Sequence, residues 1–299
     1  MNYSNMIKSE DTDNRYEAWG KYRQELTTYI KTSLQDSCSK DSWIAIWGAG
    51  GCNDIEIIEL AKSYKLLLID QDVDKLYQVR ERLGLISDNC KVADVGFWNI
   101  NDDDYEMFQA LLFDGADFDE LECFMTELVE KMTPAIDLST YSVEGSVVVG
   151  LASQLNARFA ALLHINKDKI AHIPMERIIE LLNHLNSIAI EKLYISVRQI
   201  TKKLIISGYE LESCYNKEQC KDVSKRVEAT FEEGVYGGLF LSGEEESLVK
   251  VAGNEFWHRI LYMAIIMGKL EDAGRCQIIC WPFTNDKYYP MLMVTLLVC

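Results

Sequence analysis

The stretch Ser42–Asp72 reads SWIAIWGAGGCNDIEIIELAKSYKLLLIDQD. Its apolar run at residues 43–47 is typical of a short parallel strand that is buried on both faces. The glycine-rich turn Gly48–Gly51 follows directly, and residues 65–69, which are apolar except for Lys65, form a second strand-like segment that is followed by Asp70. A helical pattern joins the turn to the second run. The segment therefore predicts a strand, a turn, a helix and a second strand, which is one repeat of an α/β fold.

The pattern continues along the chain, where short apolar runs alternate with segments of helical periodicity. In the helix after the glycine turn, residues 54–64, the expected buried set is Ile55, Ile58, Leu60 and Ala61. The other predicted helices cover residues 14–34, 73–83, 103–132, 155–164 and 176–194, and the other predicted strands cover residues 90–95, 146–151, 203–212, 275–281 and 289–298. The last two strands are joined by the short link PFTNDKY, which requires an antiparallel pair.

These elements predict an α/β fold, a Rossmann-like three-layer sandwich with a mostly parallel seven-stranded sheet and an antiparallel C-terminal strand. We expect a single domain over residues 1–299. Residues 1–40 are interpreted as an N-terminal helical extension. Residues 101–145 are interpreted as an acidic helical insertion between the third and fourth strands.

Composition excludes several classes of protein. The formal net charge of −17 repels a phosphate backbone, so nucleic acid is not an expected partner. There is no run of 18 or more apolar residues, so no membrane span is expected. The nine cysteines form no CxxC pair, so neither a disulfide framework nor a metal site is expected. The polar N-terminal residues favour a cytoplasmic protein. The oligomeric state is not predicted.

The acidic segment 101–145 allows two interpretations. Its carboxylates contribute much of the net negative charge, and Lys131 is its only Lys or Arg. Such runs are usually solvated helix faces. The functional alternative is that they attract a cationic substrate.

The glycine turn and two acidic residues form a candidate cofactor site. Gly48 and Gly50 permit a left-handed turn and a close approach of ligand to backbone. Asp70 follows Gly50 by twenty residues at the end of the second strand, where a carboxylate can accept both ribose hydroxyls of an adenosine. Asp94 ends the predicted third strand, where it could meet the adenine amino group. Ligands of open α/β sheets bind at this carboxyl edge.

Two cofactor classes compete for this site. A dinucleotide-binding turn expects GxGxxG, but Asn53 stands at the third glycine position. The pattern GAG, Asp70, Asp94 and a reversed last strand instead resembles the class I S-adenosylmethionine-dependent methyltransferases. The segment GAGGCNDIEI resembles a branch of that family whose loop reads GxGxCND. The segment SVVVGLASQLNARF, residues 146–159, resembles its fourth strand and following helix.

The resemblance implies a role for each matching residue. Gly48, Ala49, Gly50 and Asn53 would line the methionine end of S-adenosylmethionine. Asp70 and Gln71 would bind the ribose, Asp94 and Val95 the adenine, and Leu151 would form the floor under the cofactor.

The sequence gives less direct evidence about the methyl acceptor than about the cofactor. Residues 151–156, LASQLN, stand where nucleic-acid amino-methyltransferases carry [DNS]PP[YF]. Candidate substrate-binding residues are Ser153, Gln154 and Asn156, which follow the fourth strand, and Tyr22 of the first helix. No catalytic acid or base is assigned, since methyl transfer depends mainly on alignment of nucleophile and methyl group.

The sequence therefore predicts methyl transfer from S-adenosylmethionine to a small molecule or a protein side chain. One alternative is a nucleotide-dependent oxidoreductase that uses an NAD-type cofactor. The other is an S-adenosylmethionine-binding or interaction protein that does not catalyse a reaction.

Overall fold

The structure is a computed structural model that describes residues 16–82, 84, 89–93, 100–133, 137–151, 154–211, 213–232, 270–284 and 286–298. Its helices are α1 (Gly20–Ser37), α2 (Ile57–Ala61), α3 (Val73–Arg82), α4 (Asp102–Asp114), α5 (Phe118–Lys131), α6 (Ala157–Ile165), α7 (Met175–Ile200) and α8 (Lys217–Glu232). Its strands are β1 (Trp43–Trp47), β2 (Lys65–Ile69), β3 (Cys90–Val92), β4 (Val143–Val149), β5 (Thr201–Glu210), β6 (Leu270–Thr284) and β7 (Lys287–Val298).

The seven strands form one sheet in the order β3-β2-β1-β4-β5-β7-β6. The pairs from β3 to β5 are parallel. The last strand, β7, lies between β5 and β6 and is antiparallel to both. The predicted seven-stranded sheet with a reversed C-terminal strand is therefore confirmed.

Helices cover both faces of the sheet because side chains of successive strand residues point to opposite faces. Ile44 and Ile46 of β1 pack in a buried cluster with α1, α2 and α3. Ala45 and Trp47, the alternate residues, pack in a second cluster with α7. The sheet is thus the middle of three layers, as predicted.

The acidic segment folds as two helices rather than one. Gly115 ends α4 in a left-handed conformation, with a φ of 77°. Asn101 with Asp104, and Asp117 with Glu120, form reciprocal capping boxes at the starts of α4 and α5. Several of the acidic residues therefore satisfy the free N–H groups at helix starts, where negative charge is favourable.

The helix after the glycine turn is shorter than predicted. It begins at Ile57, so its buried face is set by Ile57 and Leu60, one turn apart. Ile58 was expected to be buried and is 51% exposed. The residues from Asp54 to Glu56 instead form an irregular connection to the glycine turn.

The C-terminal hairpin is longer than predicted. Strand β6 continues through Pro282 to Thr284 and pairs with β7 from Lys287 onward. Strand β6 lies at the edge of the described sheet and pairs with β7 only. A proline, which has no N–H to donate, is tolerated on such an edge strand.

Candidate functional site

The glycine turn lies at the carboxyl edge of the sheet between β1 and α2. Gly48 and Gly50 have φ values of 67° and 48°, in the left-handed region that favours glycine. The backbone N–H groups of Gly48 and Ala49 both donate to the carbonyl oxygen of Ile69, at 2.8 and 3.2 Å. The turn is therefore held against the end of the neighbouring strand β2.

Asp70 joins the glycine turn to the next helix. Its Oδ2 accepts a hydrogen bond from the N–H of Gly50 at 2.8 Å, and its Oδ1 accepts from the N–H of Asp72 at 2.9 Å. Each carboxylate oxygen retains a lone pair for a further donor. Asp70 is half-buried, so part of its side chain is open to solvent.

Leu151 lies against the glycine turn from the end of β4. A Cβ atom on Gly48 would stand only 2.8 Å from Leu151 Cδ1 and 3.1 Å from its Cβ. The two residues therefore pack as closely as a glycine allows. The resemblance gave Leu151 a role as the floor of the site, and the structure brings it to the turn.

Cys52 has a backbone conformation that the sequence does not reveal. Its φ is 49°, in a region that non-glycine residues seldom adopt, and its side chain is buried. Strained positions of this kind cluster at ligand-binding sites. A glycine at this position would have suggested a left-handed conformation from the sequence. A cysteine does not.

Arg23 of α1 forms hydrogen bonds with the segment that follows the glycine turn. Its Nε donates to Glu56 Oε1 at 2.6 Å, and its Nη1 donates to the carbonyl oxygen of Asn53 at 3.2 Å. The Thr27 hydroxyl accepts from the N–H of Glu56 at 2.8 Å. Helix α1 therefore positions the loop that carries Asn53.

The other site residues predicted from the sequence differ in their exposure to solvent. Gln71 and Gln154 are exposed. Asn156 is buried, and its amide Nδ2 donates to Asn186 Oδ1 of α7 at 2.8 Å. Asp94, Val95 and Ser153 lie outside the described residues, so the adenine end of the predicted site is described only as far as Ala93.

Tyr22, a candidate from the sequence, interacts with two carboxyl groups, those of Asp54 and Glu210, that the sequence analysis did not single out. Burial raises the pKa of the Asp54 carboxyl to about 6, against the opposing effects of a hydrogen bond from its own backbone and the charge of Arg23. Burial also raises the pKa of the Tyr22 phenol, and the charges of Asp54 and Glu210 raise it further. Two carboxylates therefore act on one buried tyrosine.

Glu210 and Trp281 could have been found from their positions. Glu210 ends β5 and Trp281 stands near the end of β6, so both lie at the carboxyl edge where ligands of such sheets bind. The indole ring of Trp281 stacks on Tyr22 with ring centroids 5.8 Å apart. Tyr22, which the sequence analysis proposed as a substrate-binding residue, therefore contacts Trp281 near the end of β6 and interacts electrostatically with Glu210 at the end of β5.

Among the described residues, no group of three or more His, Cys, Asp or Glu side chains is suited to bind a metal ion. None of the described helices has the length and apolar character needed to cross a membrane.

Comparisons with known proteins give structural likenesses only. No family model and no curated protein sequence matches the chain. Among solved structures, it is similar to the N-methyltransferase NodS from Bradyrhizobium japonicum, with 11% identity over 96% of this chain and 98% of that one and a TM-score of 0.40. Magnesium protoporphyrin IX methyltransferase from Synechocystis with bound S-adenosylhomocysteine gives 10% identity, 93% and 83% coverage and a TM-score of 0.42.

A further similar structure is a SAM-dependent methyltransferase from Aquifex aeolicus, with 10% identity, full coverage of both chains and a TM-score of 0.40. At TM-scores below 0.5, these likenesses support no inference about this chain. The fold assignment above stands on the strand order and register alone.

Proposed function

We propose that this chain is an S-adenosylmethionine-dependent methyltransferase that acts on a small-molecule acceptor, with a protein side chain as the second choice of acceptor. The observation that carries the proposal is the hydrogen bond from the Gly50 N–H to Asp70. It joins a left-handed glycine turn to a strand-end carboxylate in a sheet whose last strand is reversed. These are the features on which the sequence resembles that family.

The residues present fit such a cofactor. In our proposal, Gly48, Ala49, Gly50 and Asn53 line its methionine end, and Leu151 forms its floor. Asp70 and Gln71 bind the ribose hydroxyls through hydrogen bonds. The hydrogen bond from the Gly50 N–H already orients the Asp70 carboxylate. By the sequence alone, Asp94 and Val95 are assigned to the adenine.

When bound, S-adenosylmethionine would supply a methyl group on a positively charged sulfur. The contribution of the chain is then to orient the donor and the acceptor, since alignment accounts for most of the rate of such a displacement. The carboxylates of Asp54 and Glu210 also place negative charge near the turn, which favours a positively charged ligand over a neutral one.

We also place the protein in the cytoplasm. The cysteines Cys38, Cys52, Cys90, Cys123, Cys214, Cys220 and Cys280 are free thiols. Free thiols in this number are usual for reducing compartments and unusual for secreted proteins.

Turnover is tested with S-adenosylmethionine that carries a labelled methyl group. The protein is incubated with this donor and a metabolite extract, and S-adenosylhomocysteine and labelled products are measured in the small-molecule and protein fractions. We expect S-adenosylhomocysteine to form and the label to appear in the small-molecule fraction.

The alternatives predict different results. Label in the protein fraction indicates a protein acceptor. Binding of the donor without any S-adenosylhomocysteine in any extract indicates a non-catalytic binding protein. A change in nicotinamide absorbance with NAD, and no methyl transfer, indicates the oxidoreductase.

A further inference from the structure

The guanidinium of Arg23 connects the segment before α1 with the loop after the glycine turn. Its Nη1 donates to the carbonyl oxygen of Tyr16 at 2.6 Å and to that of Asn53 at 3.2 Å. Its Nε donates to Glu56 Oε1 at 2.6 Å, which makes an ion pair. The Tyr16 ring covers the guanidinium, with 3.6 Å between Arg23 Cζ and the ring centroid. One nitrogen of Arg23 therefore holds two backbone carbonyls at the same time.

The surroundings of Arg23 make these contacts specific for arginine. Its side chain is only 7% exposed, so its charge must be balanced by the partners around it. The Nε and Nη1 groups point in different directions, and they serve a carboxylate and two carbonyls. A lysine ammonium, which has a single nitrogen, cannot serve these acceptors in the same geometry.

The residue before Asn53 has a strained backbone that these contacts help to hold. Cys52 has a φ of 49°, and such conformations persist only where the surrounding structure enforces them. The N–H of Cys52 donates to the carbonyl oxygen of Ala49 at 2.8 Å, and Arg23 binds the carbonyl of the next residue. Without the Arg23 guanidinium, we expect the backbone at residues 52 and 53 to relax.

The Asn53 side chain lies against the glycine turn. A Cβ atom on Gly51 would stand 3.2 Å from Asn53 Nδ2 and 3.6 Å from Asn53 Oδ1. The amide is therefore packed beside the residue that follows Gly50, whose N–H donates to Asp70. Asn53 is half-buried, so its backbone is held by Arg23 while part of the residue is open to solvent.

We propose that Arg23 is a positioning residue for the methionine end of S-adenosylmethionine. The inference rests on the proposed function, in which Asn53 lines that end of the cofactor. Arg23 acts through Asn53 rather than on the ligand, because it fixes the Asn53 backbone and so places the amide before the cofactor binds. A group that is already in place need not be ordered on binding. Loss of the Arg23 contacts should therefore lower the affinity for the amino-acid part of the cofactor alone.

Calorimetry with two probes that share the adenosine part tests this proposal. S-adenosylhomocysteine carries the amino-acid part and methylthioadenosine lacks it. Both are titrated into the full wild-type chain and into Arg23→Lys, which keeps the positive charge and loses the fork of donors. We expect Arg23→Lys to bind S-adenosylhomocysteine about tenfold more weakly, which corresponds to one charge-assisted hydrogen bond, and to bind methylthioadenosine as the wild type does.

The two probes separate positioning from a general structural role. A loosened fold weakens the binding of both probes by the same factor, and that result overturns the proposal. The matched control is Lys21→Ala, which removes an exposed cation of the same helix that is paired with Glu25 at 3.4 Å and is expected to change neither affinity. If Arg23→Lys does not fold, Glu56→Gln removes the charge that holds Arg23 and should weaken the binding of S-adenosylhomocysteine alone. Unchanged binding in that variant overturns the proposal.

The two proposals fail in different ways. If the wild-type chain binds neither S-adenosylhomocysteine nor methylthioadenosine, the proposed function is wrong and the role of Arg23 is rejected with it. If the wild type binds S-adenosylhomocysteine and a folded Arg23→Lys binds it equally well, the methyltransferase proposal stands and only the role of Arg23 is rejected.

Discussion

The carboxylate of Asp70 accepts a hydrogen bond from the backbone N–H of Gly50 at 2.8 Å, across twenty residues of sequence. The same carboxylate accepts from the N–H of Asp72 at 2.9 Å. One side chain therefore holds the glycine turn and the start of the segment after β2 together, and in our proposal its remaining lone pairs accept hydrogen bonds from the ribose.

Replacing Asp70 by alanine should weaken the binding of S-adenosylhomocysteine. The loss is expected to be about 1–3 kcal/mol, because charged hydrogen bonds to the ligand are removed and the Gly50 N–H loses its partner. Calorimetry measures the change. The matched control is Asp74→Ala, an exposed acid in the first turn of α3, which should bind normally. An unchanged dissociation constant in a folded Asp70→Ala variant removes Asp70 from the site.

Replacing Gly48 by alanine should destabilise the protein by more than its backbone conformation alone predicts. The new Cβ would meet Leu151 Cδ1 at 2.8 Å, and the φ of 67° disfavours any side chain. Gly84→Ala is the matched control, since Gly84 has a φ of 58° and no described atom near its ideal Cβ. Chemical denaturation of both variants isolates the contact with Leu151. We expect the excess cost in Gly48→Ala to be about 1–3 kcal/mol.

The contact can be tested directly by combining Gly48→Ala with Leu151→Ala. Removing the Leu151 side chain should recover part of the lost stability, so the two changes should not be additive. Additive effects contradict a direct contact between the two residues.

Replacing Cys52 by glycine should give a more stable protein than replacing it by alanine. At ordinary positions alanine is favoured over glycine by about 0.5–1 kcal/mol. At a φ of 49° the order should reverse by about 1 kcal/mol, since glycine adopts this conformation without strain. The free energies of unfolding of the two variants provide the measurement. Greater stability of Cys52→Ala contradicts the left-handed conformation.

The pKa of Asp54 predicts a pH dependence of stability. It is raised to about 6 in the folded protein, above the value of about 3.9 expected in the unfolded chain. Between these values the folded state binds more protons than the unfolded state, so stability should fall as the pH rises from about 4 to about 6. The variant Asp54→Asn should lack this contribution, and the difference between the two proteins should grow across that interval.

The same pKa predicts that a cationic ligand binds with release of a proton near pH 6. A positive charge beside Asp54 favours its ionised form and lowers its pKa. Titrations of S-adenosylmethionine in two buffers of different ionisation enthalpy measure the released proton. Asp54→Asn should abolish the buffer dependence, and its persistence in that variant would assign the proton to another group.

The sequence predicted the sheet well where the physical signal is local. The bounds of β1 and β2 were predicted correctly because each strand carries a short apolar run, WIAIW in β1 and LLLI in β2, that is followed directly by Gly48 or Asp70. The link between Gly50 and Asp70 was predictable for a similar reason. Parallel neighbouring strands bring their carboxyl ends together, so a turn after β1 and an acid after β2 must meet.

Other parts of the site depend on contacts that the sequence does not encode locally. Arg23 reaches Glu56 across thirty-three residues, and a helix pattern does not reveal this partner. Trp281 lies near the glycine turn although β6 is two strands away from β5, because the Trp281 side chain extends back toward Gly150. Ile58 was assigned to the wrong face because the helix starts at Ile57, after an irregular connection that the periodicity did not show.

Calorimetric titration of the full chain with S-adenosylmethionine, S-adenosylhomocysteine and NAD under the same conditions tests most directly whether the chain binds S-adenosylmethionine. We expect both sulfur ligands to bind at one site per chain, S-adenosylhomocysteine to bind more weakly to Asp70→Ala, and NAD not to bind. Binding of NAD together with no heat from either sulfur ligand would contradict this expectation.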